Sequence, residues 1–143
     1  MTVSTILAGK GRDVATIEPN ANLAAAVELL AEKRIGALLI LGADRRVVGI
    51  LSERDIVCAL AERGADALNG PVSGAMTRKV STCHERETIS SIMERMTTGK
   101  FRHVPVVEQG RLIGIVSIGD VVKHRLNEME RDSAAMRDYI LSA

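Results

Sequence analysis

Apolar residues recur along the chain with two different periods. Leu23, Val27 and Leu30 are spaced i, i+4, i+7, and so are Ile89, Met93 and Met96. That spacing is the stripe of a helix with one buried face, and it predicts helices over about 22–34 and 88–99. Each helix is followed by two apolar runs, 37–41 with 47–51 and 103–107 with 112–116, joined by a short polar turn. Such a pair reads as a hairpin. A short strand, 14–17 or 80–83, precedes each first helix, and a second helix starts at Ser52 or Ser117. The order β-α-β-β-α therefore occurs twice.

The two passages also match residue by residue. Val14-Ala15-Thr16 falls on Val80-Ser81-Thr82 at an offset of 66, and Leu38-Leu39-Ile40-Leu41 falls on Val104-Pro105-Val106-Val107. One residue is lost where Gly42-Ala43-Asp44-Arg45-Arg46 is replaced by the shorter Glu108-Gln109-Gly110-Arg111. Beyond it, Gly49 to Val57 falls on Gly114 to Val122 at an offset of 65. The lead-ins correspond too, Val3 to Leu7 with Val72 to Met76. Asn69-Gly70-Pro71 is a stop-and-turn signal between the copies. These marks divide the chain into a first unit with its lead-in (1–66), a second unit (67–126) and a helical extension (127–143). A unit of roughly 50–60 residues is marginal alone. Two copies packed by their sheets share a core, and pseudo-twofold symmetry leaves two equivalent crevices between them. The expected class is α/β (α+β).

The chemistry concentrates in Gly49-Ile50-Leu51-Ser52-Glu53-Arg54-Asp55 and its twin, Gly114 to Asp120. Read structurally, Ser is a helix N-cap and Asp, three residues on, completes a short capping box. Read functionally, a strand running into a helix start leaves backbone N–H groups and the positive dipole end facing outward, ready for phosphate. An ionised Asp one turn in can accept from both hydroxyls of a ribose diol. Both readings use the same geometry.

Two β-α-β-β-α units, each ending in Gly-hydrophobic-hydrophobic-Ser-x-x-Asp, resemble a tandem pair of CBS domains, a Bateman module, from about Val3 to Leu126. Val14-Ala15-Thr16, Arg102-His103-Val104-Pro105-Val106-Val107 and Gly114-Ile115-Val116-Ser117-Ile118-Gly119-Asp120 carry the resemblance. Standalone bacterial proteins of this type look similar over their full length. The resemblance implies a regulatory protein with no reaction of its own, which binds an adenosyl compound: AMP first, or ADP, ATP, NAD(H) or S-adenosylmethionine. It implies that Asp55 and Asp120 take ribose hydroxyls and that Ser52 and Ser117, with Ile118 beside the latter, lie next to ribose or phosphate. It implies that the adenine is framed by backbone at Ala15, Thr16, Ile17, Gly36, Ala37 and Leu38 in the first unit. In the second unit the frame is Val80, Ser81, Thr82, His103, Val104 and Pro105. Arg102 and His103 are expected to meet phosphate; Gly36-Ala37 bring no charge there, and Arg54 substitutes.

Composition narrows the alternatives. Lys and Arg number 19 against 18 Asp and Glu, and the net charge of +1 offers no field for a nucleic acid. One Phe, one Tyr and no Trp leave little for stacking on bases. The run Ile35–Ala43 falls far short of the ~18 apolar residues of a membrane span, and the first residues lack the pattern of a secretion signal. The expected location is the cytoplasm. Cys58, Cys83 and His84 fit no metal-ligand spacing, and Cys58 reads as a small core residue. Catalysis lacks a His base near either Ser. Lys10 and Arg12 lie in a glycine-flanked turn from which either reaches a phosphate. Finally, Val122, Leu126, Met129, Ser133, Met136 and Ile140 are spaced 4-3-4-3-4, an a/d seam broken only by Ser133. A seam this long predicts a homodimer; the plainer reading is a helix packed on its own domain. An adaptor with vestigial clefts is the rival to the sensor, and the regulated partner is unknown.

Overall fold

The computed structural model describes residues 1–142. The first repeat contains α1 (Val3–Lys10), β1 (Thr16–Ile17), α2 (Leu23–Lys33), β2 (Ala37–Leu41), β3 (Val47–Ser52) and α3 (Glu53–Arg63). Two 3-10 turns, Gly64–Asn69 and Val72–Gly74, lead to α4 (Ile89–Gly99), β4 (His103–Glu108), β5 (Arg111–Ser117) and α5 (Ile118–Ser142). The architecture is α+β: a three-stranded sheet ordered β1-β2-β3, a two-stranded sheet β4-β5, and helices about them.

The repeat shows in how matching elements begin and end. Asn22 and Thr88 cap α2 and α4 by accepting from the N–H of Ala25 and Ser91. Arg34 (φ 54°) and Lys100 (φ 57°) close them in the left-handed conformation. The hairpin turns differ as the lost residue implies. Gln109 (φ 52°) and Gly110 (φ 77°) make a two-residue turn with both φ positive, the twist that suits tightly paired strands. The longer first turn coils through Ala43–Arg45.

The strand expected at 80–83 contracts to one parallel bridge, Cys83 to Val106. Its backbone is engaged elsewhere. Arg95 on α4 donates to the Thr82 carbonyl and to Ser81 Oγ, each at 2.6 Å, so that carbonyl is satisfied without a strand partner. Cys58 is exposed, because Ala59 is the position on α3 that turns inward.

There are two cores, and each lead-in crosses to the opposite one. Val3, Ile6 and Leu7 pack with Ile89, Ile92, Met96, Val104, Val106, Val116 and Val121 of the second repeat. Val72, which leads into the second repeat, packs with Leu23, Ala26, Leu30, Leu38, Ile40 and Leu51 of the first. The lead-in grouped above with the first unit therefore completes the core of the second. The repeated glycine of the motif makes room for this exchange. A Cβ at Gly114 would meet Leu7 Cδ2 at 2.7 Å, and one at Gly49 would meet Met76 Sδ at 2.5 Å. Alternation places Leu39 on the face of β2 opposite Leu38 and Ile40, yet it is fully buried. The repeats also meet at the first hairpin's turn: β5 lies against Ala43–Arg45, and Arg46 lies beside Gly110.

Candidate functional site

Each motif does form a helix start. Ser52 sits at the end of β3 with extended backbone, and α3 begins at Glu53. The Ser52 N–H donates to Asp55 Oδ2 (2.8 Å), its hydroxyl donates to the same oxygen (3.1 Å), and the Asp55 N–H donates to Ser52 Oγ (3.4 Å). Ser117 and Asp120 repeat the arrangement at 2.9, 2.9 and 3.2 Å. The cap reading is thus realised in both copies, and it occupies one carboxylate oxygen, Oδ2. The second oxygen is where the copies part. Asp55 Oδ1 accepts from the Thr77 hydroxyl at 3.0 Å. Asp120 Oδ1 accepts no hydrogen bond among the described residues, while Lys10 Nζ donates to Oδ2 at 2.7 Å and to the Ile115 carbonyl at 3.1 Å.

A cleft of about 850 Å³ opens beside the first motif, with walls from both repeats. The first repeat supplies Gly36, Ile50 and Ser52 to Asp55. Thr77, Lys79, Val80, Ser81 and the run Gly99 to His103 supply the other wall. Ile50, Val80 and Phe101 offer apolar surface for a flat ring. Arg54, Lys79, Lys100 and Arg102 ring it with positive charge, and two carboxylates, Glu53 and Asp55, stand among them. That set of groups suits an anionic ligand with an apolar flat part and a pair of hydroxyls.

The CBS-domain family model matches residues 10–62 and 72–127. The chain belongs to the CBS-domain family. Among solved structures it is similar to a CBS-domain-containing protein from Agrobacterium tumefaciens, with 49% identity and a TM-score of 0.84 over 87% of this chain and 99% of that one. It is also similar to the CBS-domain pair of protein MJ0100, solved with 5′-methylthioadenosine and S-adenosyl-L-methionine (28% identity, TM-score 0.79, 90% of this chain and 98% of that one). A third is a CBS-domain protein from Pyrobaculum aerophilum complexed with AMP (29% identity, TM-score 0.74, 84% and 89%). Among curated relatives the chain spans 68% of one, 58% of a second and 39% of a third.

Of the residues singled out by sequence, the CBS cleft brings together Gly36, Ser52, Arg54, Asp55, Val80, Ser81, Arg102 and His103. Ser117, Ile118 and Asp120 lie at the other CBS motif, under Lys10. Leu38 and Val104 are fully buried, one in each CBS core, and Ala37 and Pro105 are held in their hairpins opposite Ser52 and Ile115. Thr16 lies in β1, and Ala15 immediately precedes it, its carbonyl accepting from the Leu39 N–H. Ile17 packs against the first core, and Thr82 is tied to Arg95. Lys10 does not wait in a turn for a phosphate; it ends α1 and neutralises Asp120. Arg12 pairs with Glu85. The sequence reading missed Thr77, Lys79, Lys100 and Phe101. Lys79 was legible in principle, because extending the lead-in register carries Lys10 onto it, whereas Thr77 falls on Ala8.

His103 lies between the two motifs. Burial pushes its imidazole below the ordinary value, and Lys10 and Arg102 push the same way, against Asp120 and Glu53. Burial would raise Asp120, but hydrogen bonds from Lys10 and Ser117 outweigh it and hold the carboxyl below the usual range. Burial pushes the Cys83 thiol up to about 12, so it stays a protonated core residue.

Proposed function

We propose that this CBS pair is a regulatory protein that binds an adenine nucleotide in the cleft between its repeats and acts on another protein without turning the nucleotide over. AMP is the first candidate, with ADP, ATP, NAD(H) or S-adenosylmethionine as the alternatives. One observation carries the reading: Asp55 faces a cleft whose cations come from both repeats. Asp55 and Ser52 would take the ribose hydroxyls, and Arg54, Lys79 and Arg102 the phosphate. A ligand touching both repeats favours one relative placement over another in proportion to its differential affinity. Binding without turnover fits the motif serines, whose hydroxyls are committed to their own carboxylates. Titration calorimetry of AMP, ATP, NADH and S-adenosylmethionine against the wild type and Asp55→Ala tests it. Saturable binding that Asp55→Ala weakens at least tenfold is the expected result, and no heat with any of the four ends the proposal. Recovering the nucleotide unchanged after long incubation is expected; turnover would contradict the non-enzymatic part.

The family resemblance and the AMP and S-adenosylmethionine complexes of similar proteins support an adenosyl ligand. We read the protein as cytoplasmic and as a homodimer. A rival reading, an adaptor with idle clefts, is favoured by the apolar surface that α5 leaves exposed. Truncation after Leu126 separates the two: a sensor retains nucleotide affinity, whereas an adaptor loses its partner and shows no nucleotide binding at all.

A further inference from the structure

The last helix presents a surface that its own fold does not use. On α5 the domain-facing positions are Val121, which is buried, and His124, Arg125 and Glu128, which are half-buried. The apolar seam lies elsewhere. Val122 is 43% exposed, Leu126 54%, Met129 55%, Met136 60% and Ile140 64%. The plainer reading of this seam, a stripe packed on its own domain, is thus excluded.

The flanking charges identify what covers it. With Leu126, Ser133 and Ile140 at a and Val122, Met129 and Met136 at d, the g positions carry Arg125, Asp132 and Tyr139 and the e positions Lys123, Glu130 and Arg137. In a parallel pair each g residue meets the e residue five places on in the other strand. Arg125 then faces Glu130 and Asp132 faces Arg137, opposite charges each time, and the two-fold axis doubles both pairs. An antiparallel pair aligned over the whole seam instead sets Lys123 against Arg137, and Glu130 and Asp132 each against their own copies. Sliding that antiparallel pair by one heptad restores opposite charges, but leaves Ile140 or Val122 without an apolar partner. Parallel alignment also stacks Ser133 on Ser133, a polar layer that penalises slipped registers.

We propose that α5 pairs with α5 of a second copy as a parallel, in-register, two-stranded coiled coil, locked by Arg125–Glu130 and Asp132–Arg137 contacts between copies. The proposal rests on the homodimer reading above and makes it specific. Both CBS pairs then stand at the same end of the coil, side by side.

Arg125 already pairs with Glu128 on its own helix at 3.0 Å, so the outer pair gives the cleaner test. Asp132 and Arg137 are exposed, and their substitution leaves both cores untouched. Sedimentation is measured on full-length, nucleotide-free wild type, Asp132→Lys, Arg137→Glu and an equimolar mixture of the two variants. The wild type is expected to dimerise, and each variant alone to dimerise at least tenfold more weakly. The mixture is expected to recover. In the mixed pair the two substituted side chains face each other with opposite charges along one edge of the seam, and the native Asp132 and Arg137 do so along the other. A Ser133→Cys, Cys58→Ser chain is expected to form a disulfide-linked dimer under mild oxidation. A monomeric wild type, variants that associate as tightly as the wild type, a mixture that fails to recover, or no Ser133→Cys crosslink would each overturn the proposal. Because no nucleotide is present, failure here leaves the nucleotide reading to its own calorimetric test.

Discussion

Asp55 and Asp120 occupy the same place in the same seven-residue frame, cap the same kind of helix with the same oxygen, and meet different neighbours. Asp55 is steadied by a neutral hydroxyl, Thr77, and stands in an open cleft with Arg54 and Lys79 nearby. Asp120 is neutralised by Lys10. The cause lies in the lead-ins. The first forms a full helix through Lys10, which delivers the ammonium to Asp120. In the second, Gly74 stands where the first has Thr5, and the helix shrinks to the turn Val72–Gly74. Glycine is a poorer helix former than threonine by roughly 0.3 kcal/mol, and the unwound chain leaves Lys79 lining the cleft. A motif therefore establishes what a carboxylate is able to bind; the element packed against it decides whether that carboxylate is already taken.

The two halves of the molecule are expected to differ most at the crossing lead-ins. Leu7 is fully buried and Met76 only partly so. Leu7→Ala is expected to cost about 2–5 kcal/mol, with Met76→Ala costing clearly less, read by urea unfolding; equal losses would mean that the two crossings are equivalent. Next in size is ligand affinity. Asp55→Ala is expected to weaken AMP binding by more than tenfold, about 1.4 kcal/mol, and Asp120→Ala by far less. Equal effects in calorimetry would show the clefts to be alike despite Lys10.

His103 makes stability depend on pH. Its folded value is depressed, so as pH falls through the unfolded value of about 6.5 the unfolded chain takes up the proton first, and stability declines until the folded value is passed. His103→Gln is expected to flatten that acidic slope in unfolding titrations. An anion bound beside His103 raises its value again, so AMP binding should take up protons on the acidic side of neutrality, visible as a heat that depends on the buffer's ionisation enthalpy.

The smallest effect concerns Lys10. Asp120 is held low, so its contribution is present above the unfolded carboxylate value and is lost as pH falls through the lower folded one. Lys10→Met should narrow this window. The stability gap between wild type and variant is expected at neutral pH and should close only as pH falls through the depressed folded value of Asp120. It is a small gap because the pair is partly solvated. The same substitution should let a second nucleotide bind per chain, and an unchanged stoichiometry of one would show that Lys10 is not what separates the clefts.

Much of this molecule is legible in its residues. Periodicity alone locates α2, α4 and both hairpins, and self-alignment exposes the repeat, because the spacing of buried side chains is a local property of helices and strands. The Ser-x-x-Asp caps are equally local, needing contacts only three residues apart. The strand expected at 80–83 fails because its outcome depends on Arg95, which lies on another element. What tertiary structure alone decided is everything that required distant segments to meet. It exchanged the lead-ins between cores, laid Lys10 on a carboxylate 110 positions away, drew one cleft from both repeats, and turned the seam of α5 outward. Short-range patterns encode which face of an element is apolar; only the packed chain determines what that face, or a charge at its edge, finally touches.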